Sequence, residues 1–470
     1  MNLKLRASAP DANPPISLDE ARIERLIAAL GDVPLVTEPA RVKKKSLDFY
    51  WYSPVLKPRL AGKTADVLVT PRDEADVIRT AAACAKYRVP LTVRGGGTGN
   101  YGQAVPLEGG VVLDMINMDN VLSTQSGLVR VEAGKLMLKL DRELRPYGWE
   151  QRMFPSTKRT ATIGGFVAGG SGGVGSVTYG GLRERGNVVA ARVVTCEETP
   201  RVLELRGDET AAINHAYGTT GIITELVMPL TPALEWRDVV VAFRGFDKAA
   251  RFGQALAIAD PIVKKLVTPI QWPIPSFFPQ LGHQVPKDRD IVICMVAAHS
   301  MQGLTDLVAT HGGEIVYDVD SLEAETHPAK TLPLYEYTWN HTTLHAMKVD
   351  RAWTYLQCLY PADRNIELVA QMIARFPDEL LMHMEMIRFG GQLTNSGLPL
   401  VRFTTEERLN EIIACHEANG IRIANPHVWT LEDGSAYKTP PEDQCAFKAG
   451  ADPYGLLNPG KMRTYTPVGH

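Results

Sequence analysis

The sequence predicts a protein of mixed helices and strands that folds as more than one domain. Its 470 residues exceed what one hydrophobic core usually supports, because a domain holds about 100–200 residues. From residue 65 onward, short apolar runs typical of strands alternate with segments of helical periodicity. Three glycine-rich loops are attached to these strands, and such loops bring bare backbone close to a ligand.

Composition excludes several classes of function. The net charge is −3 and 22% of the residues are charged, which argues against binding to nucleic acid or to an anionic membrane. The six cysteines are scattered without a C-x-x-C pair, as expected for reduced thiols in a reducing compartment. We find neither the apolar core of a signal peptide nor the ~18 apolar residues of a membrane span. We therefore expect a cytoplasmic protein.

The first helix is predicted to open at a capping box, Ser17 to Glu20, and to run to Leu30. The residues up to about Pro15 look like an unstructured lead. A helix at 71–87 follows a strand at 67–69, with Thr70 as its N-cap and Pro71 in its first turn. Further elements are strands at 111–114, 127–132 and 187–195 and a helix at 135–146. The aromatic run at 49–52 either covers a nucleotide or forms core aromatics beneath a solvated loop, and we favour the second interpretation.

The first glycine-rich loop follows the apolar run at 90–93. Four glycines in five positions, at 95–99, allow successive N–H groups to turn inward and form a nest for a pyrophosphate. Gly97, Gly99 and Gly102 also match G-x-G-x-x-G, the dinucleotide fingerprint that requires a helix to open on the glycines. Residues 103–110 are instead a turn-rich link to the next strand. This disfavours a nicotinamide-binding Rossmann unit.

The second and third loops lie at 155–181 and at 217–226. Each glycine in a helix or strand costs up to ~1 kcal/mol relative to alanine, so the second segment is expected to form loops that contact something flat or anionic. A flexible linker would not interleave Ile163, Phe166 and Val174 with its glycines. Three such loops, spread over roughly 130 residues, suit one extended ligand of dinucleotide size.

The order of four motifs resembles the FAD-linked oxidases of the vanillyl-alcohol oxidase and p-cresol methylhydroxylase (PCMH) superfamily. These motifs are Val-Arg-Gly-Gly-Gly-Thr-Gly at 93–99, Thr-Ile-Gly-Gly at 162–165, Gly-x-x-Gly-Ile-Ile-Thr-Glu at 218–225 and Asp-Pro-Tyr-Gly-Leu-Leu-Asn-Pro-Gly-Lys at 452–461. The resemblance covers about residues 60–232 and 435–465.

The resemblance implies an α+β fold, with a PCMH-type FAD-binding domain of two subdomains and a cap domain with an antiparallel sheet and flanking helices. The implied divisions are an N-terminal extension and helix at 1–59, the FAD-binding domain at 60–232, the cap at 233–430 and a segment returning to the FAD domain at 431–470. By the same resemblance, the residues expected to contact FAD are Arg94, Gly95, Gly96, Gly97, Thr98, Gly99, Asn100, Pro155, Thr162, Gly164, Gly165, Gly169, Gly172, Ser176, Tyr179, Gly221, Ile222, Ile223 and Asn458.

Two departures from the family pattern carry further expectations. Members that attach the flavin through the first loop have histidine where this chain has Thr98, so FAD is expected to be held there without a covalent bond. The Gly-Asp-Gly-Asn-x-His metal motif of the glycolate-oxidase-like and D-lactate-dehydrogenase-like branch is absent from the sequence. We therefore expect no metal, and a metal-dependent 2-hydroxy-acid activity is disfavoured.

Candidate catalytic residues lie in the cap region. If residues 335–345 are helical, His341 and His345 share one face and either flank a substrate or hold a metal; a buried structural pair is the alternative. Tyr337 is a phenolic candidate in the same stretch. The alternating run 381–389 predicts a strand with His383 and Glu385 on one face.

Arg388 in this strand is a candidate partner for an anionic group of the substrate, since guanidinium pairs with carboxylate in a bidentate manner. Family members commonly have a histidine in this region that faces the flavin or the substrate. The nearest match in this sequence is Asn425-Pro426-His427. A histidine suits a general base because its pKa lies near working pH. His427 is our first choice for this role, followed by His341 or His345.

We expect an FAD-dependent oxidoreductase that removes hydride from a CH–OH group to the flavin N5. An alcohol or a phenolic or benzylic alcohol is the favoured small-molecule substrate, and a D-2-hydroxy acid is the alternative. Oxygen or a redox partner would accept the electrons, and a homo-oligomer is compatible with the sequence. A non-catalytic nucleotide-binding protein and a nicotinamide-dependent dehydrogenase are the competing hypotheses.

Overall fold

The computed structural model describes residues 19–328, 332–433 and 442–467. Within these ranges, helices and strands build five sheets. The first three follow one another along the chain, and the strands of the last two interleave in sequence. The first sheet contains parallel strand pairs, while the neighbouring strands of the later sheets pair antiparallel. This arrangement confirms the expected α+β class.

The first sheet lies in residues 20–114. Its elements are α1 (Glu20–Leu30), β1 (Leu35–Val36), α2 (Pro39–Lys45), α3 (Leu56–Leu60), β2 (Val67–Val69), α4 (Glu74–Tyr87), β3 (Leu91–Arg94) and β4 (Val111–Asp114). The strand order is β1-β2-β4-β3, and β2 and β3 both pair parallel with β4. Because α4 is the crossover between β2 and β3, both strands end at the same edge of the sheet. The first glycine-rich loop leaves from that edge.

Two helix starts differ from the sequence prediction. Asp19 caps α1 by accepting the N–H of Arg22, and Ser17 lies outside the described residues. Helix α4 begins at Glu74, because Asp73 accepts the N–H of Asp76, so the predicted start at residue 71 was wrong. Aspartate is a stronger N-cap than the threonine we expected to fill that role. The absence of a helix directly after the first glycine-rich loop is confirmed, since described residues 102–110 form turns that lead into β4.

The second sheet carries the other two glycine-rich segments. Its elements are β5 (Val121–Gln125), β6 (Leu128–Glu132), α5 (Met137–Leu144), β7 (Trp149–Gln151), α6 (Ile163–Gly169), α7 (Ser176–Tyr179), β8 (Ala190–Val194), β9 (Val202–Arg206) and β10 (Ile222–Pro232). The strand order is β5-β6-β10-β8-β9, and β7 pairs with the far end of β10. Part of the second glycine segment, expected to be loop, is the short helix α6. The helix forms because the Thr162 hydroxyl accepts the N–H of Gly165 at 3.1 Å.

Residues 236–423 contain three antiparallel sheets. The elements are β11 (Trp236–Phe243), α8 (Phe246–Ile258), β12 (Lys264–Ile270), β13 (Asp290–Ala297), α9 (Met301–His311), β14 (Glu314–Asp320), α10 (Ser321–Thr326), α11 (Asn340–Val349), β15 (Trp353–Tyr355), β16 (Cys358–Leu359), α12 (Asn365–Arg375), β17 (Leu380–Leu381), β18 (Met384–Phe389), β19 (Gln392–Gly397), β20 (Leu400–Arg402), α13 (Glu406–Ala418) and β21 (Arg422–Ile423). The strand orders are β12-β13-β11-β14, β15-β20-β17 and β18-β19-β16-β21. The predicted continuous strand at 381–389 is therefore wrong, because the chain passes from one small sheet to the next at Met382 and His383.

The last described segment returns to the first sheet. After α14 (Glu442–Ala451), the carbonyl of Leu456 accepts the N–H of Leu91, and Asn458 donates its N–H to the carbonyl of Leu91, both at 2.8 Å. Asp452 is buried and fixes this turn by pairing with Lys448 at 2.7 Å. The turn places Asn458 at the base of the first glycine-rich loop.

Candidate functional site

The three glycine-rich segments converge on one cleft. Its glycine wall consists of residues 95–101, 155–172 and 217–223, and its cap wall consists of Trp339, Asn340, His341 and Gln357. The predicted FAD-binding residues that line the cleft are Gly95, Gly96, Gly97, Thr98, Gly99, Asn100, Pro155, Thr162, Gly164, Gly165, Gly169, Gly172, Gly221 and Ile223. Segments up to about 130 residues apart in the chain thus face one space.

The glycine wall is built by close backbone approach. A Cβ atom on Gly96 would overlap the carbonyl oxygen of Thr160, and one on Gly95 would overlap the hydroxyl of Thr162. The first and second segments therefore pack back to back, which only glycine permits at these two positions. Gly97 adopts a φ of +63° above the guanidinium of Arg94, so a buried positive charge supports the loop.

Polar side chains tie the three segments together. Gln103 donates its amide to the carbonyl of Gly169 at 3.2 Å. Asn458 donates its amide to the carbonyls of Gln103 and Tyr217, each at 2.7 Å. The N–H of Tyr217 in turn donates to the carbonyl of Ala168. Asn458 thus lies behind the wall, where it joins the first loop to the third.

The remaining predicted FAD-binding residues also lie outside the cleft lining. The side chain of Arg94 donates to the carbonyl of Leu47 at 2.5 Å, and the hydroxyl of Ser176 accepts the N–H of Gly173. The Tyr179 hydroxyl donates to Thr231 at 2.9 Å. Ile222 is buried in the core beneath the first sheet. These four residues support the segments that form the wall.

A strap at residues 48–53 packs against the first glycine-rich loop. The N–H of Phe49 donates to the carbonyl of Gly99 at 2.7 Å, and the Asp48 carboxylate accepts the N–H of Ala104 at 3.2 Å. Asp48, Phe49 and Tyr52 also line the cleft. The aromatic run therefore belongs to the site wall as well as to the core, which combines the two interpretations that the sequence left open.

Two buried charges sit where the strap meets the loop. Burial raises the pKa of Asp48 to about 6, and burial lowers the pKa of Lys461 to about 7. The ammonium of Lys461 donates to the carbonyl of Gly102 at 2.5 Å. Both groups brace the same loop, and neither was singled out in the sequence.

The cap wall presents one of the predicted catalytic histidines. His341 lies in the first turn of α11, and its Nδ1 is 3.0 Å from Oε2 of Glu336. Arg159, from the second glycine segment, donates its Nε to the other oxygen of Glu336 at 3.1 Å. Burial acts to raise the pKa of Glu336, but the hydrogen bond and charge of His341, together with Arg159, lower it overall. Glu336 therefore stays ionised beside the imidazole.

His345, one turn further along α11, lies behind the cleft. Its ring packs against Tyr337 with 5.1 Å between centroids, and its Nε2 is 3.2 Å from the carbonyl of Glu336. Burial lowers the pKa of His345 to about 4, so the ring is neutral at pH 7. Burial also raises the pKa of Tyr337 to about 12. The two predicted residues form a packed pair away from the cleft.

His427 and Arg388 also lie away from the cleft lining. His427 is buried, with Nδ1 2.8 Å from the Ser53 hydroxyl and Nε2 3.0 Å from the carbonyl of Tyr355. It thus connects the strap to β15. Arg388 is partly exposed and pairs with Asp260 at 3.1 Å. Of the candidate catalytic residues, these two therefore do not face the space that His341 lines.

Two further residues at the site escaped the sequence interpretation. His215 is buried and lines the cleft beside the glycine wall, with its Nδ1 3.2 Å from the carbonyl of Gly170 and a φ of +55°. Its position two residues before the Tyr217-Gly218 turn was the available signal. Glu336 stands in the polar stretch that was noted, but nothing in the sequence indicated that it contacts His341.

The residues present fit an FAD molecule. In the described parts of the chain, four buried polar atoms of residues that line the cleft lack a hydrogen-bond partner: the hydroxyls of Tyr217 and Thr220, the indole nitrogen of Trp339 and the amide oxygen of Asn340. Such atoms are rare unless a ligand or water satisfies them. Together with glycines whose missing Cβ atoms leave bare backbone, they form a cradle for an extended polar cofactor.

Two searches of the described residues gave negative results. No group of three or more histidine, cysteine, aspartate or glutamate side chains is arranged to hold a metal ion in these ranges. The described helices include none with both the length and the apolar character needed to cross a membrane.

Comparison with known families matches residues 65–204 to the FAD binding domain family. The glycolate oxidase subunit GlcD of Bacillus subtilis is 28% identical over 214 residues, which cover 43% of this chain and 44% of that protein. The mitochondrial D-lactate dehydrogenase [cytochrome] of Arabidopsis thaliana is 33% identical over 174 residues, covering 35% and 30%. The chain thus spans less than half the length of the curated relatives it matches.

Solved structures of alkyldihydroxyacetonephosphate synthase share the fold over nearly the whole chain. One superposes with a TM-score of 0.69 at 17% identity, covering 96% of this chain and 86% of the other. A second crystal form gives a TM-score of 0.66. At this identity the likeness concerns the fold alone. Residues 65–204 thus match an FAD binding domain, and FAD is the cofactor of this chain.

Proposed function

We propose that this chain, which belongs to the FAD-linked oxidases with a PCMH-type FAD-binding domain, is an FAD-dependent oxidoreductase that oxidises a CH–OH group. One observation carries the proposal: the glycine wall faces His341 of the cap wall across one cleft, and the ring of His341 pairs with the carboxylate of Glu336. A protein that only bound the nucleotide would not require such a pair.

The glycine wall would hold the cofactor through the backbone of the first loop, the start of α6 and the turn before β10. The hydroxyl of Thr220, which has no hydrogen-bond partner among the described residues, would form a hydrogen bond with the cofactor. Bound FAD supplies an acceptor for hydride at N5. Thr98 lines the cleft, with its hydroxyl 3.4 Å from that of Thr157. Because a threonine hydroxyl is a poor nucleophile without a neighbouring base, we propose that FAD is not covalently attached at Thr98.

His341 is the proposed general base. Glu336 accepts the Nδ1–H of the ring, which leaves Nε2 as the basic nitrogen and fixes the tautomer. Its Nε2 would take the proton of the substrate hydroxyl as the carbon loses hydride. The carboxylate then stabilises the imidazolium that forms, as in other histidine–carboxylate pairs. His341 takes the role first predicted for His427, because both ring nitrogens of His427 already contact other groups, the Ser53 hydroxyl and the Tyr355 carbonyl.

A neutral alcohol, including a phenolic or benzylic alcohol, is the proposed substrate. Among the described residues that line the cleft there is no lysine or arginine, and Asp48 is the carboxylate present. Such a lining offers no cation for a substrate carboxylate. The second candidate is a D-2-hydroxy acid, which the names of the relatives, glycolate oxidase and D-lactate dehydrogenase, favour.

The electrons would leave to oxygen or to a redox partner. The proposal is tested first by the absorbance of the purified protein. Flavin bands that move to the supernatant on acid precipitation are expected, because the cofactor is held without a covalent bond. A colourless protein would contradict the FAD assignment, and a yellow pellet would contradict the expectation for Thr98.

The substrate class is tested by anaerobic reduction. We expect benzylic and aliphatic alcohols to bleach the flavin bands without added metal. Bleaching by D-lactate or glycolate alone would favour the second candidate. A yellow protein that no member of either class can bleach would contradict the oxidoreductase proposal and favour a nucleotide-binding protein.

A further inference from the structure

Trp339 has a backbone conformation that tryptophan rarely adopts. Its φ is +52° and its ψ is −138°, and bulky side chains avoid positive φ because Cβ meets the backbone. Such outliers persist where surrounding contacts hold them, and they cluster at ligand sites. Trp339 immediately precedes α11 and therefore immediately precedes the residues Asn340 and His341 of the cap wall.

A buried acid–histidine pair holds this conformation. Glu385 accepts the N–H of Trp339 at 2.6 Å, and its second oxygen accepts the hydroxyl of Thr268 at 2.6 Å. Nε2 of His383 lies 2.8 Å from the first oxygen. Glu385 is 1% exposed and His383 is fully buried. Neither side chain lines the cleft, so both act on the site through the Trp339 backbone.

The indole of Trp339 faces the glycine wall. Its ring lies against Gly172, whose missing Cβ atom would sit 3.2 Å from the ring. The indole N–H is buried and has no acceptor among the described residues, and the amide oxygen of the neighbouring Asn340 lacks a donor there. Leaving a buried donor unpaired is costly, so the site is built for a ligand atom that accepts this hydrogen bond.

We propose that Trp339 is a specificity-determining residue. Its indole N–H donates to an oxygen of the substrate other than the one oxidised, and Glu385 and His383 are positioning residues that aim it. This inference rests on the proposed function and specifies its substrate further: the substrate carries a second oxygen function. A carbonyl, hydroxyl or carboxylate oxygen would each accept the bond, whereas a hydrocarbon at that position would leave the N–H unpaired.

The first test compares matched substrates in Trp339→Phe, which keeps an aromatic ring and removes the N–H. The pairs are 3-hydroxybenzyl alcohol with benzyl alcohol, propane-1,2-diol with propan-1-ol, and D-lactate with propan-2-ol. Loss of one hydrogen bond predicts a KM about tenfold higher for the member with the extra oxygen, and an unchanged KM for its partner. Trp353→Phe, outside the cleft lining, is the control and should leave both values unchanged.

An equal change for both members, or no change, would overturn the role of Trp339 while leaving the proposed function intact. If the wild-type flavin is bleached by none of these compounds, the proposed function fails, and the inference fails with it. The two failures are therefore distinguishable.

A readout independent of turnover tests the positioning pair. The chain has seven tryptophans, which can be labelled with 5-fluorotryptophan and observed by fluorine NMR. The resonance of Trp339 is assigned as the one that is missing from the spectrum of Trp339→Phe. Glu385→Met, which removes the acceptor, should shift or broaden this resonance without ligand and raise KM as Trp339→Phe does. Glu385→Gln keeps an acceptor oxygen and should restore both properties. A Trp339 signal unchanged in Glu385→Met, or a Glu385→Gln variant as impaired as Glu385→Met, would overturn the positioning role.

Discussion

The glycine wall of the cleft consists largely of backbone, whereas the cap wall consists of side chains that other side chains hold in place. At Gly96 the second segment approaches so closely that a Cβ atom has no room. At His341 the ring depends on Glu336, which in turn contacts Arg159 of the opposite wall. In the function we propose, the first construction binds FAD and the second carries the acid–base chemistry. Changes to the two walls should therefore have different consequences, and the predictions below test this in order of decreasing effect.

Gly96→Ala should have the largest effect because it damages the glycine wall itself, on which both cofactor binding and turnover depend. The added methyl group overlaps the backbone oxygen of Thr160, which cannot rotate away, so we expect FAD affinity to fall about a hundredfold. The measurement is the flavin content of the purified protein and its titration with FAD. Gly450→Ala is the matched control, since nothing lies within 4 Å of its Cβ position. Full FAD content in Gly96→Ala would contradict the packing described.

His341→Gln should damage the chemistry while the cofactor stays bound. Removing a general base lowers turnover by about 10²–10⁴-fold, and the glycine wall is unchanged. Turnover with an artificial electron acceptor and the flavin content are the two measurements. A variant that loses FAD along with activity would show that the two walls are not separable in this way.

Glu336→Gln should have a smaller effect of the same kind. A hydrogen bond to a charged group contributes about 1.5–3 kcal/mol, so turnover should fall about tenfold to a hundredfold as the imidazolium loses its carboxylate. The check is a double variant: His341→Gln with Glu336→Gln should be no slower than His341→Gln alone. Additive losses would mean that Glu336 acts on something other than His341.

His427→Ala should affect folding more than chemistry. It leaves the Ser53 hydroxyl and the Tyr355 carbonyl without their partner, at a cost of about 1–3 kcal/mol of unfolding free energy. Denaturant unfolding should detect this loss, while flavin reduction stays within about threefold of wild type. A stable variant with a large kinetic defect would return His427 to the role first predicted for it.

His345→Gln should change the pH dependence of stability. Burial holds the pKa of His345 at about 4, below its ordinary 6.5, so the unfolded chain takes up this proton at higher pH than the folded protein does. Stability is therefore lost as pH falls from 6.5 to about 4, by at most about 3 kcal/mol. Asp48 and Asp238, whose pKa values burial raises to about 6, act in the opposite direction in both proteins. The variant should lose less stability than wild type over this range, and parallel curves would contradict the assignment.

The same contrast explains what could be predicted from the sequence. The glycine wall could be predicted from residues 95–99 and 162–165, because few structures other than a ligand-binding loop contain so many glycines. The strands at 67–69 and 111–114 followed from apolar runs of the right length, whereas the α+β class was implied by the family resemblance. Helix α6 was missed because one capping threonine outweighs the poor helix propensity of its glycines.

The cap wall could not be predicted in the same way. The sequence offers no feature that distinguishes His427, His341 and His345 as candidate bases. Tertiary packing decides that His341 lines the cleft, that His345 packs on Tyr337 and that His427 contacts the strap. The sequence makes Arg388 a reasonable partner for an anionic substrate group, but in the structure its guanidinium pairs with Asp260. The sequence did not indicate a role for Trp339, because the type of a residue does not reveal that its backbone is strained.

The most direct test of the central claim, that His341 on the cap wall is the base, is a single turnover without oxygen. Wild type, His341→Gln and His427→Ala, each loaded with FAD, are mixed rapidly with the best alcohol substrate, and the bleaching of the flavin band is followed. The account predicts bleaching at least about a hundredfold slower in His341→Gln and close to wild type in His427→Ala. Bleaching at the wild-type rate in His341→Gln, with a slow His427→Ala, would contradict it.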